Sequence, residues 1–278
     1  MARRVLEYWN WDDQGSSTWY NPGHIDGGSF DNEGGLAWEM GMGGVPTEDN
    51  QMIAPSGSVS FRPTTATFLA KCLRSTWTSN PSALVIRCGT ASEAYQHDYA
   101  YCSRLRLEGS VGARLSATMD WMAITPSAIA VPTWTAHHTG NPFHWSQGTV
   151  TVNDAALSMQ DFSVEVNNNL EAFSSLDVKS ATVQRHPEEI IAHNITVTMS
   201  CTVHVPPSSA YLPNWTDAPA NQAASLAFTS VTPTTLTIAL ANLRLTNWKQ
   251  GLVRSDGVVP WTLEYEGKPN TSNTIAVS

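Results

Sequence analysis

Three groupings of side chains in this sequence could do chemistry. His137-His138 with His144 offers imidazoles to a transition metal. His186-Pro187-Glu188-Glu189 sets an imidazole beside two carboxylates, the makings of an acid/base pair. Asp26-Gly27-Gly28-Ser29-Phe30-Asp31-Asn32-Glu33 is oxygen-rich enough to cradle calcium. Each falls short on spacing. The histidines lack a carboxylate or further imidazole at ligand distance in the sequence and read as a surface loop. The His186 tetrapeptide reads as a polar turn, and Asp26–Glu33 departs from the EF-hand pattern and reads as solvated turn chemistry. Nucleophile elbows, P-loops, dinucleotide fingerprints and HExxH motifs are absent. The expectation is no catalytic residue, no metal, no cofactor, and a protein that is not an enzyme.

Cys72, Cys88, Cys102 and Cys201 form no CxxC pair and sit among apolar, strand-like neighbours, which predicts four buried thiols. Sequons at Asn194, Asn214 and Asn270 arise at about the chance rate in so Ser/Thr-rich a chain. The eleven tryptophans are scattered rather than set on one strand face, so they read as core and interface anchors.

The elements that must position these residues are mostly strands. The chain has 278 residues, 14% charged, with 25 aromatic residues and a net charge of −9. Such a composition excludes a disordered chain and a protein gripping nucleic acid through a basic face. No apolar run is long enough to span a membrane. The N-terminal MARR lacks the apolar stretch of a secretion signal. Between Glu7 and Asp49 lie nine carboxylates and no Lys or Arg, whereas Arg62 to Arg114 holds seven cations against three carboxylates. That asymmetry suggests complementary surfaces and head-to-tail association between copies. The leader, rich in Gly and Trp, shows neither helical nor strand periodicity, so it is either pinned to the domain or reserved for a partner.

One short helix is expected between Pro63 and Arg74, on an apolar stripe of Phe68, Leu69, Cys72 and Leu73. Tyr101, Ser103, Leu105 and Leu107 alternate with Cys102, Arg104, Arg106 and Glu108, and Ala113–Trp121 returns as the second arm of a hairpin. Asp161–Val166 alternates likewise. Asn194–Val205 alternates for twelve residues, long for a globular strand. Leu236–Leu245 carries a phase slip at Ala241-Asn242 that suggests a bulge, Trp261–Tyr265 follows, and Thr274–Ser278 is a candidate last strand. Ala136–Gly148 and Pro206–Gln222 read as loops.

From Leu157 to Val205 the order of features becomes specific: the strand Ser158–Val166, the turn Asn167-Asn168-Asn169-Leu170-Glu171, a loop with Arg185-His186-Pro187, and the long strand to Val205. This resembles the tail tube (major tail) proteins of long-tailed, non-contractile bacteriophages. Gly57–Arg74 looks like that family's strand-then-helix segment, Tyr101–Met122 like its hairpin, and Ser225–Gly267 like its final strands. The leader, and the Ala128–Gln147 insertion with Trp134 and Trp145, have no counterpart in it. The organisation expected is an acidic arm and loop over 1–56 and a tail-tube β domain over 57–278, with an insertion loop at 128–148 and a C-terminal arm at 268–278.

The resemblance implies an all-β fold with one short helix, a β-barrel/sandwich that oligomerises into a continuous β-barrel lumen. It implies hexameric rings of this chain stacked into a tube, through which DNA passes into the host without specific binding. Tape-measure, terminator and baseplate proteins are the implied partners, and the virion tail, after synthesis in the host cytoplasm, the implied location. Alternation assigns the lumen face to Arg104, Arg106, Ser116, Thr118, Asp120, Ser163, Glu165, Thr196, Thr198, Ser200 and Thr202. Subunit and ring-stacking contacts are assigned to Glu39, Glu48, Asp49, Trp9, Trp11, Arg62 and Arg74. Two alternatives stand beside this: another tail ring component (terminator or baseplate ring), and a carbohydrate-binding β-sandwich with tryptophan platforms.

Overall fold

The structure, a computed structural model, describes residues 4–5, 8–16, 18–31, 36–40, 46–50, 54–74, 79–134, 140–152, 155–156, 158–173, 187–204, 222–229, 235–252 and 259–267. The leader supplies β1 (Arg4–Val5), β2 (Tyr8–Asp13), β3 (Gly23–Asp31), β4 (Leu36–Met40) and β5 (Pro46–Asn50). The body opens with β6 (Ser56–Pro63) and α1 (Thr67–Lys71), then β7 (Leu84–Gly89), β8 (Ala94–Ser110), β9 (Ser116–Met122) and β10 (Thr125–Ile129). A 3-10 turn at Trp145–Gln147 precedes β11 (Gly148–Val152) and β12 (Ala155–Ala156). Next come β13 (Met159–Asn167), a hairpin of β14 (Leu170–Phe173) and β15 (Glu189–Ala192), and β16 (Thr196–Val203). β17 (Gln222–Thr229), β18 (Thr235–Gln250) and β19 (Trp261–Gly267) complete the described chain, which is nearly all β with one short helix.

The strands join antiparallel in the order β1-β3-β6-β9-β8-β13-β16-β19-β18-β17-β11-β12, and the path does not close on itself. Two long strands belong to two layers each. The first half of β8 pairs with β7 and β10, and the second half with β9 and β13. Likewise β18 pairs first with β17, then with β19. Both turn the corner at a residue in the left-handed region, Tyr99 (φ 52°) in β8 and Asn242 (φ 58°) in β18. The Asn242 position is the phase slip visible in the sequence, where the β17 register shifts between Gln222 and Ala224.

One face of the long sheet is greasy, and the other layers lie on it. Phe61 meets Phe68 of α1 edge-on at 5.4 Å, and Trp9 and Trp11 of β2 close on the same ring. Farther along, Phe162 of β13 packs on Phe228 of β17 at 5.7 Å and on Trp145 at 5.8 Å. All four cysteines are buried thiols within this core. Burial raises the Cys201 thiol to about 12 and pushes Cys88 up as well.

Several expectations are corrected here. The leader is not irregular: β2 pairs with β7 and β3 with β6, so strands from both sides of residue 56 share one sheet. Asp26–Asp31 is strand rather than turn, with a bulge at Asp26. The helix begins four residues after Pro63, which ends β6 instead. Strand β16 covers eight residues, not twelve. In β8 a register shift at Ser103 turns Cys102 inward with Leu105 and Leu107, although strict alternation placed it with the arginines. The 128–148 insertion is strapped down: Phe143 N–H donates to Pro63 O, Leu115 N–H to Phe143 O, and Trp134 stacks on Tyr8 at 5.2 Å. The candidate strand 274–278, the 268–278 arm, residues 206–221, His137, His138 and His186 lie outside the described residues.

The three asparagines after β13 have separate jobs. Asn167 accepts the Asn169 N–H at 2.9 Å, an Asx turn, and Asn169 takes a left-handed backbone at φ 46°. Asn168 is fully buried, and its amide donates to Cys72 O at 3.1 Å and Cys102 O at 2.8 Å. The turn thereby ties the end of α1 to the bulge in β8. Asn169 in turn donates to Asn194 O, closing the base of the β14–β15 hairpin.

Candidate functional site

The outward face of the long sheet is an organised polar surface. Its rows follow from register. One row runs Ser60, Thr118, Arg106, Glu165, Thr198, Glu266, Arg244 across β6, β9, β8, β13, β16, β19 and β18. The row above runs Ser58, Asp120, Arg104, Asn167, Thr196. Below lies Ser116, Glu108, Ser163, Ser200, Glu264, Asn247. A last row holds Ser110, Asp161, Thr202, Thr262, Lys249. None of these side chains is buried, whereas their chain neighbours Ala117, Met119, Leu105, Leu107, Val164, Val197, Met199 and Leu263 all are.

All eleven residues assigned from alternation share this one face, on the four adjacent strands β9, β8, β13 and β16. The assignment missed Glu108, Ser110, Asp161 and Asn167 on the four strands themselves, and the flanks: Ser58 and Ser60 of β6, Thr262, Glu264 and Glu266 of β19, and Arg244, Asn247 and Lys249 of β18. Strand β19 was readable, since Thr262, Glu264 and Glu266 alternate with Leu263 and Tyr265. For β18 the bulge between Leu245 and Asn247 breaks the period.

Three cations of the face, Arg104, Arg106 and Lys249, each meet a carboxylate. Arg104 reaches Asp120 through Nη2 at 2.6 Å and Nε at 2.7 Å. The Asp120 hydrogen bond and charge, with Glu165 adding less, hold the Arg104 guanidinium above its ordinary pKa. Arg106 Nη2 lies 2.6 Å from Glu108, and its Nε donates to Ser163 Oγ at 3.3 Å. Glu264 accepts from Asn247 at 2.9 Å and Lys249 at 3.3 Å, and the first of these chiefly holds its carboxyl below the usual range. Ser60 and Thr118 share a hydroxyl hydrogen bond at 3.1 Å. The described face is a wall of hydroxyls, amides and charged groups in which carboxylates outnumber cations.

The residues assigned to subunit contacts separate into three groups. Trp9 and Trp11 lie in the subunit's own core, 1% and 3% exposed. Arg74 is buried too, donating to the carbonyls of Ser79 and His193. These three have their contacts inside one chain, which corrects their assignment to the surface. Arg62 pairs with Asp26 at 3.0 Å, and Lys71 with Asp13 at 2.9 Å. Burial lowers the Arg87 guanidinium, and Asp12 and Asp98 offset part of that. The acidic leader and basic body therefore meet within the subunit, through β2 and β3. Glu39, Glu48 and Asp49 stand on the separate β4–β5 ribbon, where Glu39 opposes Thr47, Trp38 opposes Glu48 and Ala37 opposes Asp49.

The described chain is a large antiparallel sheet with one greasy face against its own layers and one broad polar face. A family model for phage tail tube proteins matches residues 54–267, more than three-quarters of the chain. The chain belongs to that family, whose members are structural proteins of the phage tail. Comparison with curated proteins gives no match.

Proposed function

We propose that this subunit assembles into hexameric rings that stack into a tube, with the polar face of β9, β8, β13 and β16 turned to the lumen through which DNA passes. The observation that carries this reading is that the eleven residues assigned from alternation, on four adjacent strands, all fall on that one face. Six copies of a four-stranded wall, at about 4.8 Å per strand, give a ring about 37 Å across between backbones before any tilt. That is wide enough for a DNA duplex inside a lining of short side chains such as Ser116, Thr118, Ser163, Ser200 and Thr202. A net charge of −9 suits a conduit, since an unbalanced positive lining would hold phosphates.

Ring-to-ring contact falls to the β4–β5 ribbon. Among the described residues it pairs with no other strand, and a two-stranded ribbon alone is marginal in water. A neighbouring copy is the surface that would support it, with Glu39, Glu48 and Asp49 at the contact. Tape-measure, terminator and baseplate proteins would meet the ends of the finished tube.

Negative-stain electron microscopy of the purified protein tests the reading. Hollow tubes or stacked six-fold rings are the expected result. A single ring that never elongates would favour a terminator role. A monomer that also fails to join tubes when mixed with the other tail proteins would overturn the conduit.

A further inference from the structure

Arg104 and Arg106 stand at the centre of the polar face, two residues apart on one strand, an arrangement that suits a nucleic-acid backbone. We propose that Asp120, Glu108 and Glu165 mask these two arginines, so that the wall carries a latent phosphate-binding patch kept switched off by its own carboxylates. The proposal rests on the conduit reading for its purpose, but its chemistry belongs to the single subunit.

The geometry shows the masking directly. Two nitrogens of Arg104, Nη2 and Nε, point at one oxygen of Asp120, at 2.6 and 2.7 Å. Arg106 turns Nη2 to Glu108 and Nε to Ser163. Glu165 opposes Arg106 in register and adds a favourable charge to Arg104. Fold stability does not account for these pairs. The arginines are each 49% exposed, and ion pairs at that exposure contribute little net stability. Other positions of the same two rows, Ser58, Ser60, Thr118, Thr196 and Thr198, are filled by serine and threonine. What the pairs change is the field at the surface. Uncompensated arginines would trap phosphates by counterion release, and uncompensated carboxylates would repel them. Paired, the two arginines leave no unbalanced positive charge to hold a phosphate, and the third carboxylate leaves the centre of the wall slightly negative.

The test compares the full-length wild type with an Asp120→Asn, Glu108→Gln, Glu165→Gln variant, near-isosteric changes that remove the masks. Binding of a fluorescein-labelled 20-base-pair DNA duplex is followed by anisotropy between 20 and 200 mM NaCl (about a tenfold salt range). The variant is expected to bind at least tenfold more tightly than wild type at the low-salt end. Its log affinity should fall with log salt at a slope of about −1.8, roughly sixtyfold over the range, as two phosphate contacts require. Adding Arg104→Gln and Arg106→Gln to the variant should abolish the gain. In the wild-type background the same two arginine changes should leave DNA binding unaltered. A folded unmasked variant that binds no better than wild type would overturn the proposal. So would a loss of wild-type binding on removing the arginines, a comparison that stands even if the triple variant misfolds. Electron microscopy on the same samples keeps the two readings apart. Missing tubes would count against the conduit, while anisotropy alone decides the masking.

Discussion

Replacing Asn168 by alanine would strand two buried carbonyls, those of Cys72 and Cys102, at the point where helix, bulge and turn meet. A buried acceptor left without its donor costs about 1–3 kcal/mol, so Asn168→Ala should lower subunit stability by about 3 kcal/mol in urea titration. Asn167→Ala, which removes only an Asx turn, should cost much less. The run of three asparagines was legible as a signature, but its chemistry was not, because sequence spacing cannot say which of three amides is buried. His97 supplies a second residue-scale prediction. Its ring is fully buried between Phe30 (5.6 Å) and Trp121 (4.6 Å), and desolvation lowers its pKa to about 4. The folded chain refuses a proton that the unfolded chain accepts below the ordinary histidine value. Stability should therefore be unaffected by His97 above about pH 6.5 and fall by about 3 kcal/mol as pH drops to about 4. A His97→Phe variant, compared with wild type by denaturation at several pH values, should lack that part of the acid slope.

Elements were legible where one face meets water and the other the core. β13 and β16 satisfy that condition, so their alternation in the sequence matches their burial in the structure. β2 hides because both faces are covered: Trp9, Asn10, Trp11 and Asp12 are all buried, leaving no alternation to read. β3 hides because glycine at positions 23, 27 and 28 removes the side chains that would mark a face. Gly57, opposite Phe30 of β3, lets a large ring lie against the backbone. A Cβ on Gly57 would stand 2.4 Å from the Trp121 ring and 2.7 Å from Ser29 O. Gly57→Ala must push Trp121 or β3 aside and should cost about 2 kcal/mol, the range for overpacking a core. Thermal unfolding followed by tryptophan fluorescence would read both the loss of stability and the displaced ring.

At the scale of the molecule, the charge asymmetry of the sequence is real but resolves inside one chain. Asp26 with Arg62 and Asp13 with Lys71 use leader carboxylates on body cations. Sequence order could not reveal this, because it depends on β2 and β3 returning to β7 and β6. The carboxylates of the β4–β5 ribbon are the ones proposed above for contacts between copies. Glu48→Lys with Asp49→Lys should slow tube growth in low salt, measured by light scattering, and the difference should shrink as salt screens the contact. Unchanged growth at low salt would remove the ribbon from the ring-to-ring contact. The long strand β8 has a separate, mechanical consequence. It enters both layers, with Ala94–Ala100 on the β7 side and Tyr101–Ser110 in the wall. A load that slides one layer over the other is therefore borne along a continuous peptide backbone, with ladders on both halves sheared in parallel. Side-chain packing alone would let the layers creep, whereas a shared strand makes the subunit stiff along that line. Force applied to the polar sheet passes into the β7 layer along the backbone of β8 itself.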